Sequence, residues 1–260
     1  GNHSDEAAYL ASYFQTHPLL SQAATNAKTR KNGAGIRAAI LYLAPAEVAT
    51  ASYTDPEGRD RAELRPHTLC PWATEGCSTA CLFTAGRGSM SSVQVARIMR
   101  ARFYLLDRAG FLAQLSREIS RHEMLAVDEG LESVIRLNGT SDIRWEKILD
   151  LAAWDASQFY DYSKAPPSAR ATAPTNYSLT YSAHEGHSDA ELVARVAGGE
   201  NVAAVVNVPK GQPMPSEFLG LPAVDGRADD WRFRDPKGVF VLLSPLGAAG
   251  ADSTGFVRSI

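Results

Sequence analysis

Short strand-like runs constrain this chain's fold more than any other feature. They cover residues 38–43, 133–137, 159–163, 177–182, 202–208 and 239–243, each bounded by polar or turn-forming residues. Helical patterns lie at 5–16, 91–109, 111–126, 143–153 and 188–197. Strands apolar on both faces that alternate with helices are the mark of an α/β fold with a mainly parallel sheet. Several connections are too short for a full helix, so the pattern predicts an irregular or incomplete (β/α) barrel. An open α/β sheet is the alternative. In either layout the loops that leave the carboxyl ends of the strands are where ligands bind.

Composition supports one α/β domain over residues 1–260 and narrows the function. At 45% hydrophobic and 21% charged residues, the chain is neither disordered, collagen-like nor disulfide-dense. The formal charge of −3 gives no bulk attraction to nucleic acid or a membrane surface. A local basic stretch stands out: residues 87–122 hold seven Arg against Asp107 and Glu118. Arg97, Arg100 and Arg108 fall on one side of the expected helix, where they could face phosphate; a solvated, salt-bridged face is the favoured reading. No run approaches the roughly 20 apolar residues of a membrane helix, and the first residues lack the basic start of a signal peptide. The expected compartment is the cytoplasm, where thiols stay reduced.

All three cysteines fall within one short segment, Cys70-Pro-Trp-Ala-Thr-Glu-Gly-Cys77-Ser-Thr-Ala-Cys81. Such crowding favours a metal-binding loop, at about residues 65–90, over scattered small core residues. A structural zinc site wants four ligands, often on C-x-x-C turns, which are missing, although His67 could complete a Cys3His set. Three thiolates on one loop suit a 4Fe-4S cluster whose last iron takes a non-cysteine ligand. Because the loop follows the first expected strand, it is loosely similar to that of radical S-adenosylmethionine enzymes. Their cysteines are separated by three and then two residues, and here the gaps are six and three. S-adenosylmethionine is therefore only a possible ligand by analogy.

The chain resembles the Gene product 88 family of bacteriophages. The residues that carry the likeness are Asn26-Ala-Lys-Thr, Leu41-Tyr-Leu-Ala-Pro45, the cysteine block, Ala85-Gly-Arg87 and Arg136-Leu-Asn-Gly-Thr-Ser-Asp-Ile143. Further matches are Phe159-Tyr-Asp-Tyr-Ser-Lys164, Pro174-Thr-Asn-Tyr177, Val224-Asp-Gly226 and Gly255-Phe-Val257. The resemblance implies a phage protein acting in the bacterial cytoplasm and says little about activity.

Other polar groups flank the expected strands. Asn138, Ser141 and Asp142 could bind a ligand, with Gly139 allowing close backbone approach; alternatively Ser141 or Asp142 caps a helix opening at Ile143. Lys164 ends a strand in which Tyr160 and Tyr162 share its face, so it could hold an anion or move a proton, or simply be solvated. Asn176 and Tyr177 could donate into the same cleft. His184 and His187 read as loop histidines, and Asp225, Asp229 and Asp230 as surface acids. No dinucleotide glycine fingerprint, P-loop, nucleophile elbow or zinc-protease helix is present.

The function expected is an iron-sulfur protein in which Cys70, Cys77 and Cys81 hold a 4Fe-4S cluster. Redox or radical-type chemistry on a small molecule at the open iron would follow. The alternative is a zinc-stabilised, non-catalytic protein that binds a host factor or nucleic acid.

Overall fold

A computed structural model describes residues 3–22, 35–209 and 211–260. The match at Asn26-Ala-Lys-Thr lies outside them. Helix α1 (His3–Thr16) and strand β1 (Leu20–Gln22) lead to β2 (Ile36–Leu41). A small hairpin, β3 (Tyr53–Thr54) and β4 (Asp60–Arg61), and a short helix α2 (Glu75–Thr79) come next. Helices α3 (Ser91–Leu106) and α4 (Arg108–Asp128) precede β5 (Glu132–Arg136), β6 (Ser157–Ser163) and β7 (Tyr177–Ser182). The chain continues through α5 (Asp189–Ala197), β8 (Val202–Val206), β9 (Glu217–Phe218), β10 (Leu221–Asp225), β11 (Phe240–Leu243) and β12 (Val257–Arg258).

Ten strands make one mixed sheet in the order β1-β2-β5-β6-β7-β8-β11-β10-β9, with β12 also paired to β8. Every pairing from β2 to β10 is parallel, and the antiparallel β1 and β9 form the two edges. The sheet does not close on itself, so the expected α/β class holds, an open sheet is compatible with it and no closed barrel forms among the described residues. Strand β2 shows why its sequence reads as continuously apolar. Ala39 and Leu41 pack with the helices, whereas Ile36 and Ala38 pack with Val134, Tyr160 and Trp231 on the other face. In α4, Phe111, Leu115 and Ile119 recur every fourth residue and are fully buried, which sets that helix against the sheet. Asp107 caps it by accepting from the Gly110 N–H at 2.9 Å.

Two expectations about helices are corrected. The segment 143–153 is not a helix; it holds two 3-10 turns, Trp145–Lys147 and Leu151–Ala153. The Asn138 side-chain oxygen Oδ1 accepts from the Ile143 N–H, Trp145 Nε1 and Ser141 Oγ at 2.9–3.0 Å, fixing a turn where the helix would have opened. Neither Ser141 nor Asp142 acts as a helix cap. The arginine run is also not a solvated face: Arg97 and Arg102 are buried, and Arg102 is paired with Glu6 at 2.5 Å. Arg108 is exposed and lies over the Tyr104 ring. No helix among the described residues is long and apolar enough to cross a membrane.

Strand β8 shares one edge between two neighbours. β7 pairs with its first half, Tyr181 opposite Val202 and Ser182 opposite Ala203. β12 then takes over, Val257 opposite Val205 and Arg258 opposite Val206. Arg258 locks the handover by donating to the carbonyls of His184 and His187 at 3.0 and 2.7 Å and to Asp189 at 2.8 Å.

Candidate metal centre at the carboxyl edge of the sheet

The cysteine loop lies against the loops that leave β5 and β7 and the segment that enters β12. Its first cysteine is fixed from the β5 side: the Asp142 N–H donates to the Leu69 carbonyl at 3.0 Å, and Cys70 Sγ faces the Thr140 carbonyl at 3.9 Å. Thr140 in turn donates to the Leu43 carbonyl at 2.6 Å, tying this loop to the end of β2. Cys77 sits in α2, whose cap is Thr74 accepting from the Cys77 N–H at 3.3 Å. Cys81 opens the next 3-10 turn, where its sulfur accepts from the Phe83 N–H at 3.5 Å. All three thiols are half-buried and unbridged.

Glu185, on the loop after β7, anchors α2. Its carboxylate accepts from Thr74 Oγ1 and from the Gly76 N–H, both at 2.8 Å. Against the cost of burial, these bonds and nearby His184 hold the Glu185 carboxyl below the usual range. From the other side Phe256 and Thr254 press on Gly76: a Cβ there would stand 2.5 Å from Phe256 Cβ and 2.6 Å from Thr254 Oγ1. Only glycine allows α2 to approach so closely.

The thiols share one electrostatic neighbourhood. Burial pushes the Cys70 thiol up to about 12, and the charges of Cys81, Cys77 and Asp142 push the same way. Cys81 is also raised, by burial first and then by Cys77, while Arg97 and Lys164 oppose the shift. Half-buried thiols that disfavour each other's ionisation need a positive centre to become thiolates together. Among the described residues, no three His, Cys, Asp or Glu side chains are gathered tightly enough to hold a single metal ion. Tetrahedral zinc with Zn–S bonds of about 2.3 Å would need sulfurs within roughly 4 Å of each other. A four-iron cluster places each thiolate on a different iron, so its sulfurs stand farther apart. His67 is exposed and joins no such set.

The remaining candidates divide by position. Asp142 accepts from Ser163 Oγ and the Lys164 N–H at 2.7 and 2.9 Å, and burial raises its carboxyl despite those bonds and Arg170. Lys164 donates to Ser182 Oγ at 3.1 Å and lies 5.5 Å from the Phe256 ring centre, beside the cysteine loop. Asp142 and Lys164 therefore lie together on the side of the sheet that carries the cysteine loop. Asn138 and Ser141 are buried and bond to one another and to their own loop, so they shape it from within. Asn176 does not join the cleft. It precedes β7, and its amide nitrogen donates to the carbonyls of Leu151, Trp154 and Ser157, at the start of β6 and the opposite end of the sheet. Tyr177 is buried, donating to Asp161 at 2.7 Å and accepting from Arg170 at 3.0 Å. His184 and His187 are loop residues whose Nδ1 atoms accept local backbone N–H groups. Asp225 and Asp229 pair with Arg227 and Arg232, and Asp230 is buried.

Sequence reading missed Glu185, Thr254, Phe256 and the Thr140 carbonyl, because nothing local reveals contacts made 70 or more residues away. The Gene product 88 family model matches residues 18–260. No curated protein and no solved structure matches the chain.

Proposed function

The chain belongs to the Gene product 88 family, and from that premise we propose that it is a phage iron-sulfur protein of the host cytoplasm. Cys70, Cys77 and Cys81 would hold a 4Fe-4S cluster with one iron free for a small molecule. The observation that carries this reading is that the one loop bearing all three cysteines is tied to the carboxyl edge of a parallel sheet, where Asp142 also holds the Lys164 N–H. The parallel strands β2, β5, β6, β7, β8 and β11 run in chain order, which supports an incomplete (β/α) barrel layout with the cluster loop after its first strand. Such a cluster, once reduced by an external one-electron donor, would supply redox or radical-type chemistry to a ligand on its open iron. Asp142 and Lys164 would orient that ligand; S-adenosylmethionine is the first probe to try.

Anaerobic purification with iron and sulfide analysis tests the reading. A brown protein with broad visible absorption and about four irons per chain is the expected result, and Cys77→Ser is expected to lose most of that iron. Full iron occupancy in the Cys77→Ser protein overturns it. A colourless zinc protein would favour the non-catalytic role instead, with a host factor or nucleic acid as partner.

A further inference from the structure

Arg97, in the middle of α3, is a buried cation with no anion of its own. It is 8% exposed, and its Nε and Nη1 atoms are buried without a hydrogen-bond partner. The guanidinium lies between two rings, 4.7 Å from the centre of Tyr42 and 5.8 Å from that of Phe83. Gly88 closes over it, since a Cβ on that glycine would stand 3.1 Å from Nη1. No carboxylate among the described residues pairs with it. The segments 1–2 and 23–34 and Lys210 contain no Asp or Glu that could do so. A guanidinium enclosed in this way costs free energy unless something nearby is negative. Burial works against its charge, and the groups that favour it are Tyr42 and Cys81.

We propose that Arg97 is the fixed counter-charge of the metal centre and sets its reduction potential. This rests on the cluster reading above. Three thiolates on a dicationic four-iron core leave a net negative charge, and one-electron reduction adds another. Arg97 reaches the thiol loop through Phe83, whose ring it lies over and whose N–H donates to Cys81 Sγ at 3.5 Å; a buried positive charge there would stabilise the reduced form more than the oxidised one and so raise the potential. The enclosure of Arg97 by Tyr42, Phe83 and Gly88 favours this role over capture of a diffusing carboxylate, which would need an open path to the guanidinium. Arg97 acts through the cluster, so it is a positioning residue and not a catalytic one.

The test is a potentiometric titration of the reconstituted protein, followed by electron paramagnetic resonance, for wild type, Arg97→Gln, Arg97→Lys and Arg100→Gln. Arg100 lies on the same helix, but its guanidinium donates to the Ala96 and Pro18 carbonyls, so it controls for helix charge. Arg97→Gln is expected to shift the midpoint to a more negative value, while Arg97→Lys and Arg100→Gln stay close to wild type. If Arg97→Gln retains too little iron to titrate, the Lys variant decides. A near-wild-type midpoint in Arg97→Lys then supports the assignment, and a midpoint displaced to a clearly more negative value overturns it. An unchanged midpoint in an iron-loaded Arg97→Gln protein also overturns it, while leaving the cluster itself standing. A wild-type chain that binds no iron removes both.

Discussion

Glu185 holds the backbone N–H of Gly76 at 2.8 Å across 109 residues of sequence, and the same carboxylate takes the hydroxyl of Thr74. One side chain on the loop after β7 therefore satisfies two donors at the start of the helix that carries Cys77. Negative charge at that position also suits the exposed N–H groups of a first helical turn.

Replacing Glu185 with Gln should loosen the thiol loop without unfolding the sheet. Hydrogen bonds to a charged acceptor contribute on the order of 1.5–3 kcal/mol each in favourable sites; partial exposure puts the expected loss near the lower end. Faster alkylation of Cys77 in the metal-free variant, followed by peptide mapping, is the readout. The pH dependence has a definite sign. A carboxyl held below its unfolded value of 4.5 contributes stability that is complete above that pH and is lost as the pH falls through the folded value. The Gln variant should therefore show a shallower loss of stability on acidification than wild type, measured by urea unfolding.

Gly76→Ala should be worse than its single methyl group suggests. The new Cβ would collide with Phe256 Cβ and Thr254 Oγ1, neither of which can rotate out of the way on a long side chain. Overpacking of this kind costs about 1–3 kcal/mol, and the shift would pull α2 from Glu185. Denaturant unfolding and iron retention should fall together. An alanine variant with wild-type stability and metal content would mean that α2 does not sit where it is described.

The Glu6–Arg102 pair is fully buried between α1 and α3, with contacts of 2.5 and 2.6 Å. Removing one partner leaves an unpaired buried charge, so Arg102→Met should destabilise the fold by about 3–5 kcal/mol. The double variant Glu6→Leu with Arg102→Met should recover much of that loss. Equilibrium unfolding of the two single variants and the double variant gives the coupling directly.

The parts of the fold that could be read from the chain are those where local pattern and burial agree. β2, β8 and β11 are covered on both faces, and near-continuous apolar residues announce them. α4 shows its buried row at helical spacing. The two-residue strands β3, β4, β9 and β12 have no such pattern, because they are made by pairing and not by burial. The arginines of α3 were misread for a related reason: charge periodicity does not reveal that Glu6, 96 residues away, lies against the same helix face as Arg102. Asn176 was legible in principle. A residue that precedes a parallel strand sits at the amino edge of the sheet, away from the ligand loops, whatever its side chain can donate. The three cysteines announced themselves by spacing alone, but the groups that seat them, Glu185, Thr140 and Phe256, did not.

The shared edge of β8 gives the centre an order of assembly. Cys70, Cys77 and Cys81 are made before Glu185 and before β12, the strand beside which Phe256 and Thr254 close on Gly76. A nascent chain that has passed α4 holds its thiols on a loop lacking both Glu185 and the β12 segment. On the cluster reading proposed above, metal delivery to a finished pocket would have to follow synthesis of β12, and premature thiol oxidation would be the hazard of the interval.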